Sequence, residues 1–357
     1  MGKDSEFYKS KRNHQLLRLR ELIQRLPGFA SDYIHSKEIT AQPSTLISYC
    51  YDLITFFEYI KERNPIYRNM EIKDFKLTIL EQIQPQDIEE YQRYLELDVS
   101  ADQKTIHENG KKAIARKMAP LRGLYQYHCK HKNIKEDPTS IVDLPKLKKD
   151  KNIIRMNNYE VQAILNAVEY GNQQMSKRQL AYCQRTKARD LAILTLMLGT
   201  GIRVSECNGL DLSDIDLVVN TLTIVRKGGG QDVLYFGDDV HKVLQDYIDT
   251  ERKNISPVSG HEKALFFSLQ GKRISVDAIE KLVKKYAGIA VPNKKITPHK
   301  LRSTYGTALY RETGDIRLVA DVLGHENVNT TIDYYAAIED EHKKMAANAV
   351  DFKRPDQ

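Results

Sequence analysis

Five side chains that could act on a phosphate group lie in the last third of the chain, between Thr297 and Ile338. They are two histidines, one arginine and two adjacent tyrosines: His299, Arg302, His325, Tyr334 and Tyr335. An arginine is always protonated and offers a planar set of donors that matches phosphate oxygens. A tyrosine hydroxyl can serve as a nucleophile, and a histidine can move a proton near neutral pH. The combination indicates chemistry on a negatively charged group.

Two upstream residues add further groups that a protein needs in order to cleave a phosphodiester with its own nucleophile. Such a reaction needs an attacking hydroxyl, donors for the five-coordinate phosphorus and an acid for the leaving 5′ oxygen. Arg203 follows the helix-breaking sequence GTG, and Lys227 lies in the glycine-rich sequence RKGGGQD. Preorganised donors are worth about 3 kcal/mol each, so no metal is required. The nearby carboxylates do not form the group of ligands that a two-metal nuclease needs, and we predict no cofactor.

The elements that must position these residues are predicted to be mainly helical. Apolar residues spaced by three and four, with Pro or Gly at several ends, predict helices. The two β-rich runs around RKGGGQD predict an antiparallel hairpin, because its glycines allow the positive φ that the turn requires. For the polar segment 170–187 the pattern makes no prediction. The predicted helices span residues 10–27, 45–62, 87–97, 110–130, 159–169, 189–198, 204–210 and 276–286, with helices from 298 onward and a tail helix over 338–350.

The length and the distribution of charge predict four parts along the chain. A chain of 357 residues exceeds the usual size of a single core. We expect an N-terminal helical extension over residues 1–40 and a helical core domain over 41–145. A basic linker over 146–155 would then lead into a second, mostly helical domain over 156–357, which includes the tail helix.

Basic residues outside the chemical cluster are candidates for contacts with DNA phosphates. The net charge of +7 permits nucleic-acid binding without proving it. A basic helix face is more often simply solvated, and a basic linker can serve only as a soluble hinge, so both alternatives stay open. The predicted contacts come from one face of helix 110–130 and from the linker: Lys111, Lys112, Arg116, Arg122, Lys148, Lys149 and Lys151.

Composition argues against several other classes of protein. The four cysteines are far apart and form no CxxC pair, which argues against a disulfide framework or a zinc site. No apolar run approaches the roughly 18 residues of a membrane helix, and no signal-peptide pattern is present. We therefore expect a cytoplasmic protein without a membrane segment.

In combination, these motifs resemble those of the tyrosine recombinase, or phage integrase, family. The signature of this family is an arginine in a GxRxxE context, a hairpin lysine, an HxxR box, an LGH box and a tyrosine nine residues beyond the histidine of the LGH box. Each motif alone is weak, but five in this order are specific. The interval of nine selects Tyr334 over Tyr335 as the nucleophile. The matching positions are Gly201–Glu206, Lys227, His299–Arg302, Leu323–His325 and Tyr334.

The resemblance implies a role for each matching residue. Arg203, Arg302 and His325 would stabilise the phosphorane, and Tyr334 would form a 3′-phosphotyrosyl bond. The second domain would then be the catalytic domain, and the pattern TLxxYxxDLxxFxxYI over residues 45–60 resembles the family's helical core DNA-binding domain.

Three further positions carry implied roles or departures from the family pattern. Lys227 would protonate the 5′ oxygen, His299 would assist proton transfer and Glu206 would brace the region of Arg203. Ser303 stands where the family often has a second histidine, and two alanines replace a common Thr-His pair after the tyrosine. Neither departure removes a catalytic group, but both loosen the assignment to any subgroup.

The function implied is site-specific DNA recombination through two strand exchanges and a Holliday junction. The implied partners are double-stranded DNA with an inverted-repeat site and a homotetramer on paired sites, while an accessory protein is left open. The N-terminal extension, the segment Leu26–Glu38 and the sequence RTKARDLAIL over residues 185–194 are most similar to single-protein Xer recombinases of the XerS type, which implies chromosome dimer resolution. A mobile-element integrase or excisionase is the alternative, and a catalytically silent architectural DNA-binding protein is a third possibility.

Overall fold

The computed structural model describes residues 6–99, 106–146, 155–171, 177–226 and 228–325. The chain divides into two compact units, one formed by Ser5–Lys149 and the other by Met1–Asp4 with Asp150–Gln357. Each unit has its own hydrophobic core. Within the described residues, none of the helices combines the length and the apolar composition that crossing a bilayer would take.

The first unit is a bundle of helices with one short strand pair. Its strands β1 (Leu97–Val99) and β2 (Ile106–Glu108) pair antiparallel, a feature that the sequence pattern did not predict. Short 3₁₀ turns lie at Ile72–Asp74 and Pro138–Ser140. The helices are α1 (Glu6–Ile23), α2 (Gly28–Lys37), α3 (Pro43–Arg63), α4 (Thr78–Gln82), α5 (Pro85–Glu96) and α6 (Lys111–Lys130).

Aromatic side chains connect several elements in the core of the first unit. The ring of Phe57 makes edge contacts with Phe29 and Phe75, which joins α3 to α2 and to the 72–75 turn. The packing of α2 on α6 depends on Gly123, because a Cβ at that position would lie 2.1 Å from the Tyr33 hydroxyl. A side chain at position 123 would therefore require the Tyr33 ring to shift.

The second unit combines helices that pack on one another with a small sheet. Strands β3 (Ile215–Asp216), β4 (Thr221–Val225) and β5 (Gln231–Tyr235) form an antiparallel sheet in chain order, with Thr221 opposite Tyr235 and Val225 opposite Gln231. The helices are α7 (Asn158–Tyr170), α8 (Lys177–Arg185), α9 (Lys187–Thr200), α10 (Val204–Gly209), α11 (Asp238–Asp249), α12 (Val276–Ala290), α13 (Pro298–Thr313) and α14 (Ile316–Leu323).

Local sequence explains how the helices that carry the candidate residues begin and end. Helix α9 is buried on most sides and ends at Gly201, whose φ of 64° is the left-handed conformation that closes a helix. Helix α13 starts with Pro298, which suits the first helical position. Asp315 caps α14 by accepting hydrogen bonds from the backbone of Arg317 and Leu318.

The predicted fold class, mainly helical with a small antiparallel sheet, is confirmed. Helices α2, α4 and α11 were not predicted, although α11 has apolar residues at 240, 243, 244, 247 and 248 that would have indicated it. The segment without a prediction contains α8. The predicted tail helix over 338–350 lies outside the described residues.

Candidate active site

The C-terminus of α14 is the point on which the candidate site is assembled. A helix leaves its last carbonyls without intrahelical partners and carries partial negative charge at that end. Three consecutive carbonyls there, those of Val322, Leu323 and Gly324, each accept a hydrogen bond from a different arginine. The predicted LGH motif therefore consists of the last residue of this helix, its glycine cap and His325.

The three arginines come from three separate elements. Arg302 in α13 donates to the carbonyl of Leu323 and, at 2.6 Å, to that of Gly201. Arg203, directly before α10, donates to the carbonyl of Gly324 at 2.8 Å. Arg226, directly after β4, donates to the carbonyl of Val322 at 2.7 Å. The helix end therefore gathers three guanidinium groups at one place.

Close backbone packing beneath Arg302 makes this arrangement possible. A Cβ at Gly201 would lie 2.4 Å from the Tyr305 ring and 2.9 Å from the Leu323 side chain. The glycine thus lets the end of α9 approach α13 and α14, and its carbonyl reaches Arg302. The Arg302 side chain is buried, so its orientation is set by these carbonyls rather than by solvent.

Glu206 connects two of the arginines through one buried carboxylate. It accepts hydrogen bonds from the backbone N–H of Arg203 at 2.7 Å and from the Arg203 guanidinium at 2.8 Å. The same carboxylate lies 3.5 Å from Nη1 of Arg226. Only 3% of the Glu206 side chain is exposed, whereas Arg203 retains 30%, so Arg203 can still present donors to a bound anion.

Both candidate histidines lie in a region of positive potential. Desolvation, followed by the charges of Arg302 and Arg203 and then by His299 and Arg226, lowers the pKa of His325 to about 4. For His299, protein atoms packed around the ring lower the pKa first, although much of the residue is exposed. Nearby positive charges, including those of Arg302 and Arg203, lower it further. Without a bound anion, both imidazoles are therefore neutral at neutral pH.

The structure thus brings Arg203, Arg302 and His325 together, and it places His299 close enough to Arg203 and Arg302 for their charges to lower its pKa. His299 also borders a cavity of about 810 Å³ between α12 and the start of α13, which is lined by Val204, Lys284 and Pro298 among others. Lys227 and Tyr334 lie outside the described residues, as does Tyr335.

The candidate DNA-binding residues differ in their surroundings. Lys111 and Lys112 are exposed in the first turn of α6. Arg116 is 55% exposed but forms two hydrogen bonds, at 2.6 and 3.0 Å, with the buried carboxylate of Asp52. Arg122 is half-buried and donates to the carbonyl of Val142 at 2.6 Å. The linker lysines at 148, 149 and 151 lie outside the described residues.

Arg226 is the member of the site that sequence reasoning missed. It lies immediately before Lys227, so the glycine-rich motif RKGGGQD contained it. A basic residue beside a turn is usually solvated, however, and nothing local indicates that its side chain reaches α14. Elsewhere in the described part of the chain, no three His, Cys, Asp or Glu side chains are grouped closely enough to hold a metal ion.

Comparisons with known proteins agree with these motifs. The model of the phage integrase family matches residues 155–342. A tyrosine recombinase XerC from Caldanaerobacter subterraneus subsp. tengcongensis is 33% identical over 317 residues, which cover 86% of this chain and 81% of that protein. A tyrosine recombinase XerS from Streptococcus agalactiae serotype III is 31% identical over 373 residues, which cover 96% of this chain and 99% of that protein.

A solved structure shows that the fold is shared as well. The XerH site-specific recombinase, in its post-cleavage complex with a palindromic difH substrate, has a TM-score of 0.60 at 18% identity. The similarity covers 92% of this chain and 96% of that one. The family model covers more than half of the chain, and the XerC relative exceeds 30% identity over most of its length. The chain belongs to the phage integrase family of tyrosine recombinases.

Proposed function

We propose that the chain is a site-specific DNA recombinase that cuts and rejoins DNA strands through a 3′-phosphotyrosyl bond to Tyr334. The observation that carries this proposal is the convergence of Arg203 and Arg302 on the end of α14, directly before His325. Fixed guanidinium groups around one point suit a phosphate whose charge increases in the transition state. The motif order and the family membership support the same reaction.

The cleavage step exchanges one phosphoester bond for another. The Tyr334 oxygen attacks phosphorus, and the bond from phosphorus to the 5′ oxygen breaks. The phenol proton passes to His299, which is neutral at neutral pH and can accept it. Lys227 gives a proton to the departing 5′ oxygen. Because the number of phosphoester bonds is unchanged, religation by the reverse step needs no nucleotide cofactor.

The arginines and His325 stabilise the five-coordinate phosphorus. Arg203 and Arg302 donate to its non-bridging oxygens, and each such donor is worth about 3 kcal/mol. The lowered pKa of His325 is caused in part by Arg302 and Arg203. A bound phosphate offsets those charges, so DNA binding raises the pKa of His325 toward its ordinary value. A neutral imidazole already has one N–H, so the ring can donate a hydrogen bond in either protonation state.

DNA binding involves both units. The core domain over residues 41–145 supplies Lys111, Lys112 and Arg116 on α6, and the linker lysines follow the phosphate backbone. Lys111 and Lys112 lie in the first turn of their helix, where the helix dipole disfavours cations. A DNA phosphate at this position offsets that cost. Arg116 and Arg122 make smaller contributions, because Arg116 is already paired with Asp52 and Arg122 donates to the carbonyl of Val142.

The biological role that we infer is Xer-type resolution of chromosome dimers at cell division. Its best support is the XerS relative, which matches this chain across nearly the whole length of both proteins. The reaction takes place in the cytoplasm, on an inverted-repeat site, with a homotetramer that holds two sites through a Holliday junction. Mapping the DNA sequence that the protein protects distinguishes this role from that of a mobile-element integrase, whose site lies at an element boundary.

A covalent adduct tests the cleavage reaction. The protein is incubated with a nicked suicide substrate, which traps the cleaved state, and the products are separated on a denaturing gel. We expect an adduct with the unmodified chain and with Tyr335→Phe, and none with Tyr334→Phe. An adduct that survives Tyr334→Phe but is lost in Tyr335→Phe would reassign the nucleophile. Site binding without any adduct would instead favour an architectural protein.

A further inference from the structure

The backbone of Arg226 closes the hairpin turn, and its side chain extends to α14 and α10. Its N–H donates to the carbonyl of Gly230 at 2.8 Å, and its carbonyl accepts from the N–H of Gly229 at 3.0 Å. Its side chain is only 12% exposed, which is unusual for an arginine beside a surface turn. The guanidinium must therefore be held by groups outside the turn.

Three different elements hold that guanidinium. Asp232, opposite Ile224 in the hairpin, accepts from Nε at 2.9 Å and lies 2.8 Å from Nη2. The carbonyl of Val322, in the last turn of α14, accepts from Nη2 at 2.7 Å. The carboxylate of Glu206 in α10 lies 3.5 Å from Nη1. One side chain thus joins the hairpin to two helices of the candidate site.

The backbone of Gly324 also contacts this guanidinium. A Cβ at that position would lie 2.8 Å from both Cζ and Nε of Arg226, closer than real Cβ contacts allow. The chain directly before His325 is therefore packed on the side chain of Arg226. A lysine at 226 could not reproduce these contacts, because a single ammonium group lacks the spread of donors with which the guanidinium contacts Asp232, Val322 and Glu206 together.

We propose that Arg226 is a positioning residue that fixes the start of the hairpin turn against the end of α14 and so restricts the general acid, Lys227, which is the next residue in the chain. This inference rests on the proposed function. The turn contains three consecutive glycines, Gly228 to Gly230, and glycines leave a backbone with the most conformational freedom. A general acid must lie within hydrogen-bond reach of the atom that it protonates. Arg226 anchors the residue before Lys227 and thereby limits where the acid can lie.

A pair of DNA substrates separates positioning of the acid from a general structural role. One is the ordinary nicked substrate, and the other has a bridging sulfur in place of the 5′ oxygen at the cleavage position. In the second substrate the bond from phosphorus to sulfur breaks, and the sulfur leaves as a thiolate without needing a proton. A thiol ionises near pH 8.5, whereas water has a pKa near 15.7. Only the oxygen substrate therefore depends on a correctly placed acid.

The rate of covalent adduct formation is measured with Arg226→Gln in the full chain. Displacement of a catalytic group by about 1 Å can cost on the order of 100-fold. We expect a loss of that size on the oxygen substrate, and a loss of less than about 5-fold on the sulfur substrate, since proton transfer there contributes little. Arg226→Lys should show the same difference between substrates, which provides a second variant if Arg226→Gln folds poorly.

Arg252→Gln is the matched control. Arg252 is also a half-buried arginine of the second unit, and it donates to the carbonyls of Ala264 and Leu265. The Arg252→Gln variant should slow cleavage of both substrates equally or leave it unchanged. Equal slowing of both substrates by the two Arg226 variants would overturn the inference while leaving the proposed function intact. Failure of the unmodified chain to cleave either substrate would overturn the proposed function, and this inference with it.

Discussion

Replacing Glu206 by glutamine tests whether one buried carboxylate holds two arginines of the site. The carboxylate accepts two hydrogen bonds from Arg203, at 2.7 and 2.8 Å, and faces Arg226 at 3.5 Å. A glutamine keeps one oxygen acceptor, but it turns an N–H₂ donor toward groups that are themselves donors. The variant therefore loses one hydrogen bond outright and leaves Arg203 without its carboxylate partner, while Arg226 keeps Asp232 as its remaining acidic partner.

The size of the effect follows from the burial of the three side chains. Removing one partner of a fully buried ion pair costs about 3–5 kcal/mol. Arg203 is 30% exposed and Arg226 is 12% exposed, so solvent screens part of this cost. We expect Glu206→Gln to lower the free energy of unfolding of the second unit by about 2–4 kcal/mol. At about 3 °C per kcal/mol, its unfolding midpoint should fall by roughly 6–12 °C.

Scanning calorimetry is the suitable assay, because the chain contains no tryptophan for fluorescence. The first unit has its own core, so its transition serves as an internal reference. Asp277→Asn is the matched surface control, since Asp277 is 71% exposed and pairs with the exposed Lys281. It should leave the midpoint nearly unchanged. A drop of less than about 2 °C in Glu206→Gln would show that the arginines do not depend on this carboxylate.

Two further predictions concern pH and the division of labour between the units. An unfolded histidine binds a proton near pH 6.5, whereas folded His325 does so only near pH 4. The contribution of His325 to stability is therefore complete above about pH 6.5 and is lost as the pH falls from about 6.5 to about 4. As the pH falls across this range, the unfolding midpoint of His325→Gln should fall less steeply than that of the unmodified chain. An unchanged dependence of the midpoint on pH would contradict the lowered pKa of His325. Arg302→Ala should abolish cleavage while site binding is retained. Replacing Lys111, Lys112 and Arg116 by glutamine should weaken binding and reduce the slope of log K against log salt concentration by about 0.9 per lost phosphate contact; equal losses of binding in both variants would contradict this division.

The sequence by itself determined the chemistry and most of the helices. Helix α3 shows apolar residues at spacings of three and four, and the hairpin shows a glycine-rich turn between β-rich runs, both of which are local properties. The motif order identified the family, and the interval between His325 and Tyr334 selected one of two adjacent tyrosines. These inferences depend only on residue type and spacing along the chain.

Only the tertiary structure decided how the candidate residues are held. The hydrogen bonds from Arg203 to Gly324, from Arg302 to Gly201 and from Arg226 to Val322 join residues that are 121, 101 and 96 positions apart. Local periodicity cannot encode such partners, because their acceptors are backbone carbonyls that any residue could supply. The fold places the unsatisfied carbonyls at the end of α14 where three guanidinium groups can reach them. Arg226 belongs to the site because it satisfies one of these carbonyls, and not because it lies in a recognisable motif.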